Sequence, residues 1–72
     1  MALIRAWGGK EPRLADGVWV ADGAVVLGDV EIGPGSSIWF GAILRGDVNS
    51  IRVGARTNVQ DLSILHLSLI HI

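Results

Sequence analysis

The chain has 72 residues, half of them hydrophobic, and its six basic and seven acidic side chains give a net charge of −1. This length predicts one small domain, and the near-zero charge argues against nucleic acid or an anionic membrane as a partner. Cysteine is absent, which excludes disulfides and thiolate metal sites, and without a membrane-length apolar run or a signal-peptide core we expect a cytoplasmic protein.

Residues 1–17 are predicted to be a lead-in that caps the end of a repeating domain. Gly8, Gly9 and Pro12 are turn-forming residues, so this stretch should contain a turn. Leu3 and Trp7 are apolar and are expected to help cover the open end of the domain that follows.

From residue 18 to residue 66 an aliphatic residue recurs every six positions, with one irregularity. The aliphatic positions are Val20, Val26, Ile32, Ile38, Leu44, Val53, Val59 and Leu65. Small or β-branched residues follow four places later, at Ala24, Val30, Ser36, Ala42, Thr57 and Ser63. This hexapeptide period predicts an all-β fold, a parallel β-helix in which three hexapeptides close a coil of roughly 18 residues. The aliphatic side chains should stack inside the coil at the ordinary strand spacing of about 4.8 Å.

The irregularity lies between Leu44 and Val53, which are nine residues apart instead of six. The three extra residues fall within residues 47–50 and are predicted to form a protruding corner. After this corner the period resumes and continues to His66.

The period ends after His66. Position 69 should be small and position 71 aliphatic, but they hold Leu69 and His71. The last six residues match a peptide encoded by a transposase adapter used in sequencing libraries. We therefore expect residues 67–72 to be a non-native tail and the chain to be truncated, with a genuine, unusual C-terminus as the alternative.

Three segments carry a resemblance to a known family. They read SIWFG at residues 37–41, LRGDVNSIRVG at 44–54 and RTNVQD at 56–61, and His66 follows them. Together they resemble the γ-class carbonic anhydrases, whereas generic hexapeptide acyltransferases share the period but not this block. The resemblance covers most of residues 7–66. It implies a left-handed parallel β-helix with a C-terminal helix, assembled as a homotrimer, of which this chain is the N-terminal fragment.

The resemblance also implies a metal site between subunits, built from three histidines. His66 matches the first ligand, and the other two would belong to later coils that this chain lacks. Three imidazoles suit zinc, or iron or cobalt, and such a metal lowers the pKa of a bound water so that hydroxide can attack carbon dioxide. The substrates would be carbon dioxide and bicarbonate, and this chain alone is expected to hold no metal and to be inactive.

Other site residues follow from the same resemblance. Gln60 would hydrogen-bond the bound water or bicarbonate, with Asn58 as a nearby polar support. Arg45 and Asp47 would pair at the subunit interface and Asp61 would extend that network, while an ordinary solvated ion pair is the alternative.

The spacing of the chain supports part of this site independently. The interval from Arg45 to His66 equals one coil of the repeat plus the three-residue insertion. Each directly follows an aliphatic position, so both are expected on one face of the coil. Gln60 holds the matching place on the preceding face, with Trp39 one coil below it.

Whether the complete protein is an enzyme is left open by the protruding corner. The best-studied members of the family carry a glutamate proton shuttle near this corner, but residues 48–50 here read Val-Asn-Ser. Two alternatives to a lyase therefore stand: a hexapeptide acyltransferase or other acyl-CoA-related protein, and a non-catalytic structural trimer.

Overall fold

The structure, a computed structural model, describes residues 1–65 and 70–71, apart from the side chains of residues 47–49, 70 and 71. Within this part of the chain all regular structure is β: the strands are β1 Leu3–Arg5, β2 Arg13–Leu14, β3 Trp19–Val20, β4 Val25–Ile32, β5 Ser37–Ile38, β6 Ile43–Val53, β7 Asn58–Val59, β8 Ile64–Leu65 and β9 Ile70–His71. None of the described residues belongs to a helix that could cross a membrane.

The strands form a coil with three faces, and all strand pairs are parallel. Strands β4 and β6 each turn a corner, so their two halves belong to two different faces. On the first face the strands follow the order β1-β4-β6-β8. On the second face β2 pairs with β4, and β9 pairs with β6. The third face has the order β3-β5-β7. The predicted all-β parallel β-helix is confirmed.

The coil length follows the sequence period. Before the insertion, paired strands are one regular coil of three hexapeptides apart, as in Trp19 opposite Ser37. After the insertion the offset is three residues longer, as in Ser37 opposite Asn58. The three extra residues therefore bulge out of one coil without disturbing the stacking of the coils on either side.

The predicted aliphatic positions form the core. Val26, Ile32, Ile38 and Leu44 are almost completely buried, and Val53 and Val59 are 4% exposed. Val20 and Leu65 are only half-buried and pack against this core near the two ends of the described coil. Four of the small positions are also buried: Ala24, Val30, Ser36 and Ala42.

Ile51 is a core residue that the six-residue period alone does not identify. It is 1% exposed and lies opposite Val30 of the preceding coil. The insertion moves the small position that follows Leu44 from residue 48 to residue 51, and an isoleucine fills it.

The lead-in takes part in the strand ladders. Ile4 lies opposite Val26 and Leu14 lies opposite Ile32, so β1 and β2 extend two faces of the coil. Between them, Trp7 and Lys10 exchange two backbone hydrogen bonds of 2.8 and 3.0 Å and close a turn. At the other end, β9 pairs with β6, while residues 66–69 and 72 lie outside the described part, so the predicted non-native tail stays a prediction.

The corner inside β4 depends on Gly28. Its φ of +78° lies in the left-handed region that side chains with a Cβ rarely adopt. A Cβ at this position would also lie 2.6 Å from the carbonyl oxygen of Gly46, one coil away. Two separate constraints, backbone conformation and the close approach of the next coil, therefore require glycine here.

Gly28→Ala should lower the free energy of unfolding by about 2–4 kcal/mol, because left-handed strain and a steric clash add together. Gly23→Ala is the matched control, since Gly23 has a φ of +80° but open space where its Cβ would be. The control should cost only the strain, about 1–2 kcal/mol. Urea unfolding of both variants measures the two values, and equal losses would contradict the proposed clash.

Ion pairs run across the outside of the second face. Arg13 lies 3.0 Å from Asp29 and 4.0 Å from Glu31, and Arg52 lies 3.4 Å from Glu31. The hydrogen bond from Arg13 is the main cause that lowers the pKa of Asp29 below its ordinary value. Lys10 and Arg52 lower this pKa further, and partial burial of the carboxylate opposes the shift.

Arg13→Ala should raise the pKa of Asp29 toward its ordinary value. A lowered carboxyl pKa stabilises the fold above the unfolded-state pKa, and this contribution disappears as the pH falls through the folded-state pKa. Arg13 is half exposed, so the loss at neutral pH should be under about 1 kcal/mol. Unfolding measurements at neutral and strongly acidic pH test this, with Arg5→Ala as the control. A loss that persists in strong acid would point to packing instead of charge.

Candidate functional site

Asn58 and Gln60, the two carboxamide residues predicted to belong to the site, lie on the outside of the third face. Val59 between them is buried in the core, and side chains alternate along an extended strand. Asn58 and Gln60, the residues before and after it, are both exposed. Both predicted site residues thus present to solvent a carboxamide that can donate and accept hydrogen bonds.

Asn58 is held by a chain of hydrogen bonds from the preceding coil. The Ser37 hydroxyl donates to Asn58 Oδ1 over 2.5 Å, and Trp39 Nε1 donates to the Ser37 oxygen over 2.9 Å. This chain exists because the insertion places Ser37 opposite Asn58 in neighbouring strands of the third face. The carboxamide of Asn58 is therefore anchored to the coil before it.

Trp39 is in turn held by two other aromatic rings. Its ring centroid lies 4.9 Å from that of Trp19 and 6.3 Å from that of Phe40, both in edge-to-face geometry. Trp19 and Phe40 are also edge-to-face, 5.9 Å apart. Edge-to-face arrangements at these separations are favourable, so the three rings support one another.

Gln60 lies at the corner that leads to the first face. Its backbone carbonyl accepts a 3.2 Å hydrogen bond from the Ser63 backbone N–H, which closes the turn. Trp39 and Gln60 each directly follow a buried aliphatic residue, Ile38 and Val59, that lie opposite each other. The backbone register thus agrees with the prediction that Trp39 is one coil below Gln60.

Arg45 and Asp61 occupy exposed positions in separate parts of the coil. Arg45 lies on the first face, directly after the buried Leu44 and opposite Leu27. Asp61 lies in the turn between β7 and β8 and is exposed. The side chain of Asp47 is outside the described residues, so the predicted pair of Arg45 with Asp47 stays a prediction.

The metal ligand predicted at His66 is also outside the described residues. The last pair of residues before it is Leu65 opposite Leu44, which follows Ile64 opposite Ile43. Both pairs have the same sequence offset as the predicted partners Arg45 and His66. In residues 1–65 and 70–71, the described side chains contain no group of three His, Cys, Asp or Glu that could hold a metal. The described residues by themselves therefore do not fit a catalytic metal ion.

Sequence reasoning missed the contacts of three residues near this site. It places Trp39 one coil below Gln60 but does not predict its hydrogen bond to Ser37, and it identifies Ser37 only as part of a family motif, although the interval from Ser37 to Asn58 equals that from Arg45 to His66. Leu62, directly after Asp61, is 79% exposed and has a φ of +61°. Its side chain lies over Gly41, one coil earlier, where a Cβ would meet it at 2.7 Å.

Comparison with known proteins places the chain in a family. The model of the family described as "Bacterial transferase hexapeptide (six repeats)" matches residues 11–46, which is half of the chain. The matched residues include β2 to β5, the beginning of β6 and most of the core.

Curated relatives include proteins named as carbonic anhydrases. The chain is 54% identical over 59 residues to γ carbonic anhydrase 2 of Arabidopsis thaliana mitochondria, covering 82% of the chain and 21% of that protein. It is 46% identical over 66 residues to a carbonic anhydrase of Geobacillus kaustophilus, covering 92% of the chain and 36% of that protein. The chain thus spans well under half the length of these relatives. Because one is mitochondrial, the cytoplasmic location stays a prediction.

Other relatives are named as transferases. The chain is 50% identical over 66 residues to an uncharacterized transferase of Bacillus subtilis, covering 92% of the chain and 39% of that protein. A Bacillus cereus crystal structure, provisionally classed as an acetyltransferase, has a TM-score of 0.90 and 41% identity, covering 96% of this chain and 42% of that one. From the repeat, the parallel coil and these similarities, we conclude that the chain belongs to the hexapeptide-repeat family of γ-class carbonic anhydrases.

Proposed function

We propose that this chain forms the first coils of a γ-class carbonic anhydrase-like metalloprotein that interconverts carbon dioxide and bicarbonate in its complete form. The observation that carries the proposal is the exposed pair of carboxamides, Asn58 and Gln60, within a segment that resembles that family. The identity of 46–54% to relatives named as carbonic anhydrases supports it.

Asn58 and Gln60 would bind and orient the substrate. Each carboxamide offers two N–H donors and one carbonyl acceptor. Bicarbonate presents three oxygen atoms and a negative charge, so N–H donors on one side of the coil would hold its oxygens in a fixed orientation. Prearranged donors of this kind cost little reorganisation during a reaction.

The metal belongs to the proposal for the complete protein and not to this chain. A catalytic zinc takes three protein ligands and keeps one coordination position open. His66 would supply one ligand, and the remaining two would have to come from residues beyond this sequence.

The proposed assembly is a homotrimer with Arg45, Asp47 and Asp61 at the contact between subunits. An arginine forms bidentate hydrogen bonds with a carboxylate, which gives such a contact directional specificity. The alternation of charges along the motif, with Arg45 followed by Asp47, supports this role.

Acyl transfer is the second candidate function. The transferase name of the Bacillus subtilis relative and the provisional class of the Bacillus cereus structure favour it. An acyltransferase would need an acyl-CoA groove and a catalytic histidine, and the metal content of the complete protein distinguishes the two candidates.

His66→Ala in the complete protein should abolish stoichiometric metal binding and carbon dioxide hydration, because a zinc site loses one of its three protein ligands. Elemental analysis and stopped-flow hydration assays measure both. Ile64→Ala is the control, an exposed residue in the same coil.

This 72-residue chain alone should bind no stoichiometric zinc. Full metal occupancy in the His66 variant would contradict the assigned ligand, and metal-independent acetyl transfer by the wild type would favour the second candidate.

Arg45→Ala should weaken the proposed trimer of the complete protein more than it alters the fold. Arg45 is exposed on the first face, so its loss leaves the core intact. Sedimentation velocity should show a shift from trimer toward monomer, while circular dichroism should be unchanged. Arg5→Ala, another exposed arginine on the same face, is the matched control. An unchanged trimer in the Arg45 variant would contradict the interface role.

A further inference from the structure

We infer that Ser37 and Trp39 are positioning residues that fix the carboxamide of Asn58 with its Nδ2 amino group turned toward the substrate. The inference rests on the proposed function and deepens it. It assigns roles to two side chains and states which end of Asn58 is available for binding.

The distance between Ser37 and Asn58 identifies the atoms that meet. The separation of 2.5 Å suits an O–H···O hydrogen bond, which spans about 2.5–3.0 Å, whereas N–H···O bonds are about 2.7–3.2 Å. The atom of Asn58 that faces Ser37 is therefore the carbonyl oxygen Oδ1. Its amino group lies on the other arm of the planar carboxamide.

Trp39 supports this direction of the hydrogen bond. An indole N–H can only donate, so the Ser37 oxygen must accept from Trp39 Nε1. The single hydroxyl hydrogen of Ser37 is then available to Asn58, whose Oδ1 accepts it. The opposite orientation of Asn58 would leave the Ser37 hydroxyl hydrogen without this acceptor.

The aromatic cluster of Trp19, Trp39 and Phe40 gives the chain of hydrogen bonds a stable origin. Trp39 is half-buried and has edge-to-face contacts with both other rings. Its indole cannot rotate freely without losing these contacts. The fixed position of Trp39 thus restrains Ser37, and Ser37 in turn restrains Asn58, an exposed side chain that would otherwise sample several rotamers.

The chemical consequence is that Asn58 acts toward the substrate as a hydrogen-bond donor. Its carbonyl oxygen accepts from Ser37, and its amino group, on the other arm of the carboxamide, is directed away from that serine. Bicarbonate is an anion with strong acceptor oxygens, whereas carbon dioxide is a weak acceptor. The Asn58 donor should therefore hold bicarbonate already in the bound ground state. Loss of such an interaction raises the KM for bicarbonate more than it changes kcat.

Three variants of the complete protein test this role. Ser37→Ala removes the relay, Ser37→Thr keeps a hydroxyl in the same place, and Asn58→Asp keeps the acceptor for Ser37 but removes the N–H donor. Thr57→Val is the control, because the Thr57 hydroxyl bonds locally, to the Ala55 carbonyl. Two readouts are used: the KM and kcat for bicarbonate dehydration, and hydrogen exchange of the Trp39 indole N–H by NMR. The indoles of Trp7 and Trp19 are internal references.

Ser37→Ala should raise the KM for bicarbonate about fivefold, the effect of one ordinary hydrogen bond, with little change in kcat, and should speed exchange of the Trp39 indole. Ser37→Thr should restore both values. Asn58→Asp should raise the KM while the indole stays protected, because the acceptor for Ser37 is kept, whereas the donor is lost and the new carboxylate repels bicarbonate.

Unchanged indole exchange in Ser37→Ala would overturn the relay. Faster exchange with an unchanged KM would overturn its role toward the substrate while leaving the proposed function intact. If the complete wild-type protein turns over no bicarbonate, the proposed function and the substrate-facing role both fail, and the indole result alone decides whether the relay exists.

Discussion

Stacking of each coil on the one before it is the constraint on which the rest of this structure depends. Backbone groups of one coil bond to the next at regular places, as in the 3.0 Å hydrogen bond from Ser37 N to the Thr57 carbonyl and the 2.8 Å bond from Ile43 N to the Ser63 carbonyl. Because the paired strands are parallel, a strand residue in one coil lies over its equivalent in the next coil. A core residue must therefore match its neighbour in direction and size, and a corner must leave room for the next corner.

The same stacking explains why the outer surface is ordered. On the second face, Arg13, Glu31 and Arg52 occupy equivalent positions in successive coils and so form a row of alternating charge. On the third face, Trp19, Ser37 and Asn58 form a row in the same way. In both rows, side chains distant in sequence meet because their backbones are paired. The β-helix thus converts a sequence offset directly into a contact.

The three-residue insertion is what gives the third face its chemistry. With the regular coil length that precedes the insertion, Ser37 would lie opposite Ala55 instead of Asn58. The insertion after Leu44 lengthens the coil by three residues, and the serine then meets the asparagine. The proposed substrate-binding side chains therefore depend on a corner that lies on a different side of the coil.

Much of the fold followed from the sequence alone, because a six-residue aliphatic period has few other structural explanations. It predicted the parallel coil, the buried positions from Val26 to Val59 and the protruding corner. The outward direction of Asn58 and Gln60 also follows from strand alternation around Val59. What only the tertiary structure decided are the contacts between coils: the burial of Ile51, the pairing of Ile4 and Leu14 with β4, and the hydrogen bonds from Trp39 through Ser37 to Asn58. These depend on register and side-chain rotamers, since a period states which residues share a face but not which atoms meet there.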